Sequence, residues 1–132
     1  MYSRLGKTDN RGMNRPVVLI IEDDPSMQEI MAAMFEDHGG FRIGGVGQNG
    51  FEGAMLACDL EPDLVVLDYC MPRWDGDRTA IFIREQCPGL KIIAFSAALQ
   101  TCPEWADDFL DKTRIEDLVP LAEHLCAAAL SR

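Results

Sequence analysis

The chain has 132 residues, of which 48% are hydrophobic, and its 22 acidic and 12 basic side chains give a formal net charge of −10. This length fits one domain with a substantial core, and the acidic balance argues against a nucleic-acid interface, which needs a basic face. The apolar runs are too short to cross a membrane. Five cysteines without a C-x-x-C pair argue against a disulfide framework or a zinc site, so we expect reduced thiols and a cytoplasmic location.

The N-terminal stretch differs from the rest of the chain. Residues 1–15 contain polar and basic side chains without apolar periodicity, which indicates a flexible leader. Residues 16–132 contain no internal repeat and no low-complexity tract, which indicates one domain.

Within this domain, short apolar strands alternate with amphipathic helices. Asp24 is expected to be the N-cap of the first helix, with Pro25 at the first helical position and Gly39 just beyond the end. Such alternation favours a parallel sheet with helices on both faces, in a doubly wound α/β fold. Strands are predicted at residues 16–21, 41–46, 64–68, 91–96 and 109–111, and helices at residues 25–38, 50–60, 77–86 and 114–129.

Three acidic side chains stand where predicted buried strands end. Glu22 and Asp23 follow the run VVLII, and Asp68 follows LVVL. The carboxyl ends of parallel strands open into the ligand crevice of such a sheet, so we expect the three acids to lie together. Carboxylates that lie close together raise one another's pKa unless a cation neutralises them. Because oxygen ligands suit Mg²⁺, the sequence predicts a Mg²⁺ site at which phosphate chemistry occurs.

Four motifs, in this order, resemble those of the receiver domain of two-component response regulators, over roughly residues 16–129. IIEDDPS resembles the acidic pair after the first strand, here Glu22 and Asp23. LDYCMPRWDG resembles the phosphoacceptor strand and loop, with Asp68 as the acceptor. FSA resembles the hydroxyl residue after the fourth strand, and FLDK the lysine after the fifth; these two motifs contain Ser96, Phe109 and Lys112.

The resemblance implies a fold and a reaction. The fold would be flavodoxin-like, a five-stranded parallel sheet in the order 2-1-3-4-5. Asp68 would accept a phosphoryl group from a histidine kinase or phosphotransfer protein in a Mg²⁺-dependent reaction. Asp23 and Asp68 would bind the ion directly, Glu22 through water, and Cys70 through its backbone carbonyl. At most, slow self-phosphorylation from small donors and self-dephosphorylation would accompany this, so we do not expect a conventional enzyme.

The resemblance also assigns a switch. Lys112 would contact one phosphoryl oxygen as a point charge, and the Ser96 hydroxyl would donate a hydrogen bond to another. Movement of Ser96 would leave space for Phe109, so that a change in charge becomes a change in packing on a protein-interaction surface. The downstream protein or output domain is left unidentified, and neither nucleic acid nor a membrane is expected as a direct partner.

Two features depart from the family pattern. Thr113 stands after Lys112, where the family usually has proline, so the usual cis peptide is not expected there. Only AALQTCPEWADD separates Ser96 from Phe109, and Pro103 interrupts any helix in that stretch. We therefore predict that helix four of the family is short, irregular or absent.

Other functions fit parts of the sequence. A phosphatase of the haloacid-dehalogenase type also uses an aspartate at a strand end, but it usually has a second aspartate where this chain has Cys70. A pseudo-receiver would keep the fold as an interaction module without phosphorylation. The chain is also compatible with the receiver part of a longer DNA-binding regulator or hybrid kinase.

Overall fold

A computed structural model of the protein describes residues 14–97 and 99–130. Most of the predicted flexible leader, residues 1–13, lies outside the described residues. Arg15, at the end of that stretch, contacts the domain, since its guanidinium donates a hydrogen bond of 3.1 Å to the carbonyl of Gly39. None of the helices in the described ranges combines the length and the apolar character needed to cross a membrane.

The sheet has five parallel strands in the order β2-β1-β3-β4-β5, which confirms the predicted doubly wound α/β fold. β1 and β3 lie in the middle and are fully buried, as their continuous apolar sequences indicate. The strands are β1 Val17–Ile21, β2 Arg42–Gly47, β3 Leu64–Leu67, β4 Lys91–Phe95 and β5 Asp108–Leu110.

Helices cover both faces of this sheet. Alternate residues of β1 point to opposite faces, so that Ile20 joins a core cluster with α1 and α4, while Ile21 joins a second cluster with α2 and α3. The α-helices are α1 Pro25–His38, α2 Gly50–Leu60, α3 Gly76–Gln86 and α4 Leu118–Leu130, and a 3₁₀ helix, Lys112–Asp117, precedes α4.

The ends of α1 follow the sequence prediction. The Asp24 carboxylate accepts a hydrogen bond from the backbone N–H of Ser26 at 3.0 Å, and Pro25 is the first helical residue. Gly39 then ends the helix in the left-handed region, at φ 80°. The predicted cap, start and stop of this helix are therefore confirmed.

The last helix was predicted as one continuous element from residue 114, and the structure differs from this prediction. Arg114 has non-helical backbone angles (φ −109°, ψ 38°), and the regular α-helix begins only at Leu118. Asp111 is the reason for this start, because its carboxylate accepts hydrogen bonds from the N–H of Thr113 at 2.9 Å and from its hydroxyl at 2.8 Å. These bonds fix a tight turn before the helix proper.

The connection between β4 and β5, residues 96–107, is called here the β4–β5 segment. It contains no helix among its described residues, 96–97 and 99–107, which confirms the prediction for helix four. Arg84 of α3 attaches it to the domain: the guanidinium donates to the carbonyl of Trp105 at 3.0 Å and to the carboxylate of Asp107 at 2.7 Å. The same side chain donates to the carbonyl of Leu90 at 2.6 Å. Arg84 thus holds the end of the segment against α3 and the start of β4.

Candidate functional site

The pairing of β1 with β3 places the acids side by side. Ile21 is the register partner of Leu67, so the next residues, Glu22 and Asp68, leave adjacent strands at the same level. The backbone N–H of Asp68 donates to the carbonyl of Ile21 at 3.0 Å and continues the ladder by one residue. The two side chains therefore emerge together at the carboxyl edge of the sheet.

Asp23 completes an acidic cluster with these two residues. One carboxylate oxygen from each of Glu22, Asp23 and Asp68 lies within 4.8 Å of the other two. Glu22 is 0% exposed and Asp68 is 3% exposed, whereas Asp23 is open to solvent. The cluster thus has a buried floor of two carboxylates and one acid at the entrance.

Lys112 is the cation of the site. Its ammonium nitrogen lies 3.0 Å from Glu22 Oε1 and 3.3 Å from Asp68 Oδ2. Thr113 in place of proline does not displace it: the described residues contain no cis peptide bond, and the Asp111–Thr113 hydrogen bonds fix the turn that carries the lysine. Lys112 therefore extends from the end of β5 across to the ends of β1 and β3.

Burial dominates the electrostatics of the two inner acids. It raises the pKa of Glu22 to about 7, against the opposing effects of the Asp24 backbone N–H and of Lys112. Burial also raises the pKa of Asp68, although the charge and hydrogen bond of Lys112 act in the other direction. For Lys112 itself, burial lowers the pKa, but the two carboxylates outweigh it and the net shift is upward. The positive charge of Lys112 therefore does not fully offset the cost of burying the two carboxylates.

One buried oxygen in the cluster indicates what more the site accepts. Glu22 Oε1 is fully buried and accepts no hydrogen bond, although it is ion-paired with Lys112. Buried polar atoms normally have a partner, because leaving one without it costs free energy. The donor set is made of oxygen alone, which is the preference of a hard divalent cation such as Mg²⁺. The residues present therefore fit this ion.

The other predicted site residues lie around this cluster. Ser96 directly follows β4, is 2% exposed, and donates its backbone N–H to the carbonyl of Leu110 at 3.2 Å. Phe109 lies half-buried in β5, opposite Ala94 of β4. Cys70 has an exposed side chain, and its backbone N–H donates to Asp68 Oδ1 at 3.3 Å. Their roles as switch residues and metal ligand remain predictions.

Sequence reasoning missed two sets of polar contacts at the site. The Gln28 side chain donates to the backbone carbonyl of Glu22 at 2.6 Å and so links α1 to the acidic strand end. Tyr69, next to Asp68, donates its hydroxyl to Asp77 Oδ2 at 3.0 Å, and Asp77 Oδ1 accepts from the Trp105 indole at 2.7 Å. Asp77 and Trp105 are 28 residues apart, so no local pattern identifies this pair.

Comparison with protein families agrees with the fold. The model of the response regulator receiver domain matches residues 18–120. The chain therefore belongs to this family, and it is a receiver domain of the kind found in response regulators of two-component systems. Its predicted family membership is confirmed.

Curated relatives are longer than this chain. A probable C4-dicarboxylate response regulator, DctR, from Halalkalibacterium halodurans is 44% identical over 84 residues, which cover 64% of this chain and 36% of that protein. The DNA-binding dual master transcriptional regulator RpaA from Synechocystis sp. is 30% identical over 105 residues, covering 74% of this chain and 43% of that protein. The chain thus spans about a third of the length of the DctR protein it matches.

Solved structures show the same architecture. The receiver domain of the Francisella response regulator 1452 superposes with a TM-score of 0.78 at 26% identity, over 87% of this chain and 99% of that one. The receiver domain of the sensor histidine kinase PA1611 from Pseudomonas aeruginosa superposes with a TM-score of 0.74 at 23% identity, over 84% and 97% of the two chains. That structure has a magnesium ion coordinated in its active-site cleft.

Proposed function

We propose that Asp68 is the phosphoacceptor of this receiver domain. A carboxylate oxygen of Asp68 attacks the phosphorus of a phosphohistidine, the P–N bond breaks, and an acyl phosphate forms on Asp68. One observation supports this assignment above the others: Asp68 is a buried acid at the end of the central strand β3, and its Oδ2 lies 3.3 Å from the ammonium of Lys112. A nucleophile, a cation and an acidic cluster therefore meet at one strand end.

The acidic cluster is the proposed place of the metal. Asp23 and Asp68 would bind Mg²⁺ through carboxylate oxygens, Glu22 through a water molecule, and Cys70 through its backbone carbonyl. When bound, the ion neutralises charge between the acceptor and the incoming phosphoryl group. The magnesium ion in the Pseudomonas aeruginosa receiver domain, which shares this fold, supports the proposal.

Lys112, Ser96 and Phe109 have the proposed roles of phosphate ligands and switch. Lys112 moves from its contacts with Glu22 and Asp68 to a phosphoryl oxygen, since the anion concentrates more charge than either carboxylate. The Ser96 hydroxyl donates to a second oxygen, and Phe109 in β5 repacks in response. The transfer depends on positioning and charge neutralisation more than on bond-making groups of the protein.

The partners follow from this chemistry. A histidine kinase or a phosphotransfer protein supplies the phosphoryl group, in the cytoplasm, and a downstream protein or output domain reads the changed surface. By itself, this domain is expected to catalyse at most slow self-phosphorylation from small donors and slow hydrolysis of the acyl phosphate. A phosphorylation-independent pseudo-receiver is not favoured, because the acids and Lys112 lie together as the reaction requires.

Intact-mass analysis with acetyl phosphate tests this function. With Mg²⁺, wild type is expected to gain the mass of one phosphoryl group, and with a chelator it is expected to gain none. Asp68→Asn keeps the size of the side chain and removes the nucleophile, so it is expected to remain unmodified. A folded wild type without an adduct, or an adduct of equal yield on Asp68→Asn, would refute the assignment.

A further inference from the structure

A single carboxylate joins the loop after Asp68 to the β4–β5 segment. Asp77, near the start of α3, accepts a hydrogen bond on each of its oxygens. Oδ2 accepts from the hydroxyl of Tyr69 at 3.0 Å, and Oδ1 accepts from the indole N–H of Trp105 at 2.7 Å. The Trp105 bond is short, whereas the Tyr69 bond is longer than the roughly 2.5–2.7 Å typical of a hydroxyl on a carboxylate, so Trp105 is the tighter of the two contacts.

Tyr69 is the direct neighbour of the proposed acceptor and is held from two sides. Its backbone carbonyl accepts from the N–H of Gly76 at 2.8 Å, which closes the loop between β3 and α3. Gly76 also touches Tyr69 closely, since a Cβ built on Gly76 would come within 2.8 Å of the Tyr69 Cα. The residue after Asp68 is therefore tied to the start of α3 twice, through its backbone to Gly76 and through its hydroxyl to Asp77.

Trp105 is the residue of the β4–β5 segment that binds Asp77, as Tyr69 does in the loop after Asp68. Its half-buried ring packs on the core cluster shared by α2 and α3, and its carbonyl accepts from Arg84 at 3.0 Å. The segment begins at Ser96 and leads into β5, which contains Phe109. One proposed switch residue, Ser96, therefore begins the segment that Trp105 attaches to α3, and the other, Phe109, lies in the strand that follows it.

We propose that Asp77 is a positioning residue that couples the acceptor loop to the β4–β5 segment, so that the occupied state of Asp68 is transmitted to Trp105. This inference rests on the proposed function of Asp68. Since the described residues between β4 and β5 form no helix, the segment carries the response instead, and the Asp77 bridge connects it to the loop after the acceptor. Binding of a phosphoryl group shifts the loop, and the shift alters the Trp105–Asp77 bond.

Tryptophan emission gives a direct test. The chain has two tryptophans, so Trp74→Phe leaves Trp105 as the single reporter. In this background, Mg²⁺ and the phosphoryl mimic beryllofluoride are expected to change the emission of Trp105. Tyr69→Phe, which removes one hydroxyl, and Asp77→Asn, which leaves only one acceptor oxygen, are expected to abolish the change. Glu85→Gln, an exposed acid on the same helix, is the matched control and is expected to keep it.

The affinity for beryllofluoride is a second readout. A hydrogen bond that only stabilises the fold would not change this affinity. If the Trp105–Asp77 bond is coupled to acceptor occupancy, Trp105→Phe, which removes this bond, is expected to change the affinity for beryllofluoride by roughly 2- to 30-fold. The effects of Tyr69→Phe and Trp105→Phe are expected to disappear when each is added to Asp77→Asn, because all three changes break one bridge.

The outcomes separate the two proposals. If intact mass shows the phosphoryl adduct but Trp105 emission responds equally in all variants, or in none, the positioning role of Asp77 is overturned while the acceptor assignment stands. Additive effects in the Asp77→Asn background also overturn it. If wild type takes no phosphoryl group, the proposed function fails, and this inference falls with it.

Discussion

The carboxyl end of the central strands and the β4–β5 segment are organised by different interactions. At the strand ends, Glu22 and Asp68 are adjacent because the register of β1 and β3 places them there. In the β4–β5 segment, the backbone has no helical bonds of its own among the described residues, and Arg84 and Asp77 of α3 hold it from the side. The acidic site thus depends on the sheet, and the segment depends on individual side chains.

The two regions are therefore expected to tolerate substitutions differently. A site fixed by strand register persists as long as the sheet is folded, so its acids can be altered one at a time. A segment held by a few polar contacts and one packed ring, Trp105, is more easily displaced when a contact is lost, because local opening needs less free energy where few apolar contacts are buried. We expect the acceptor site to respond to charge and the segment to respond to the loss of single bonds.

The largest effect is expected from Mg²⁺ on the acidic site. A ligand that binds only the folded state stabilises it by about 2.7 kcal/mol at about 100 times its Kd. Urea unfolding with and without Mg²⁺ is expected to show such a gain for wild type, and a clearly smaller one for Asp23→Asn. Asp24→Asn is the control, since Asp24 is the N-cap of α1 and lies outside the cluster. An equal gain for all three proteins would place the ion elsewhere.

Among the side chains that contact the segment, loss of Arg84 is expected to lower the free energy of unfolding most. Arg84→Ala removes the hydrogen bonds to Leu90, Trp105 and Asp107, and we expect a fall of roughly 2 kcal/mol in the free energy of unfolding. Arg114→Ala is the matched control, because its ion pair with Asp117 is exposed and is expected to contribute about 0.5 kcal/mol or less. Equal losses in urea unfolding would mean that Arg84 does not hold the segment.

The raised pKa of Glu22 predicts how stability depends on pH without metal. Burial raises this pKa from 4.5 to about 7, so the folded state holds the proton more tightly than the unfolded state. Stability is therefore expected to fall as the pH rises from about 4.5 through about 7, by roughly 1–3 kcal/mol, and to level off above. Glu22→Gln removes this titration, so its unfolding free energy is expected to change less over that range. If the unfolding free energy of wild type and that of Glu22→Gln depended on pH in the same way, the raised pKa of Glu22 would be contradicted.

The smallest effect concerns the helix cap beside the site. Asp24→Ala removes the acceptor for the N–H of Ser26 and is expected to cost about 1 kcal/mol in unfolding free energy. Asp24→Asn keeps an acceptor oxygen and is expected to stay within a few tenths of a kcal/mol of wild type. Neither is expected to change phosphorylation by acetyl phosphate, because the Asp24 carboxylate caps α1 and is not one of the three clustered acids. A loss of phosphorylation in both variants would contradict this.

The sheet and the acidic cluster could be predicted from the sequence because both follow from short local patterns. Buried strands such as β1 and β3 are continuous apolar runs, and the residues after them must lie at one edge of a parallel sheet. The lack of a helix among the described residues of the β4–β5 segment also has a local cause, the short connection with Pro103.

The contacts that hold the β4–β5 segment could not be predicted in this way. Trp105 is 21 residues from Arg84 and 28 residues from Asp77, and nothing near these residues in the sequence indicates that they meet. The irregular start of the last helix was missed for another reason. The apolar spacing continues through Ile115, but the Asp111 side chain competes for the backbone at that point.

Trapping the acyl phosphate tests the central claim most directly. Borohydride reduces an aspartyl phosphate to homoserine, which peptide mass analysis locates after treatment with acetyl phosphate and Mg²⁺. The structure predicts homoserine at position 68 alone, since Asp68 is the buried acid beside Lys112. Homoserine at position 23, or a phosphate on Ser96 that resists borohydride, would contradict the assignment of Asp68 as the acceptor.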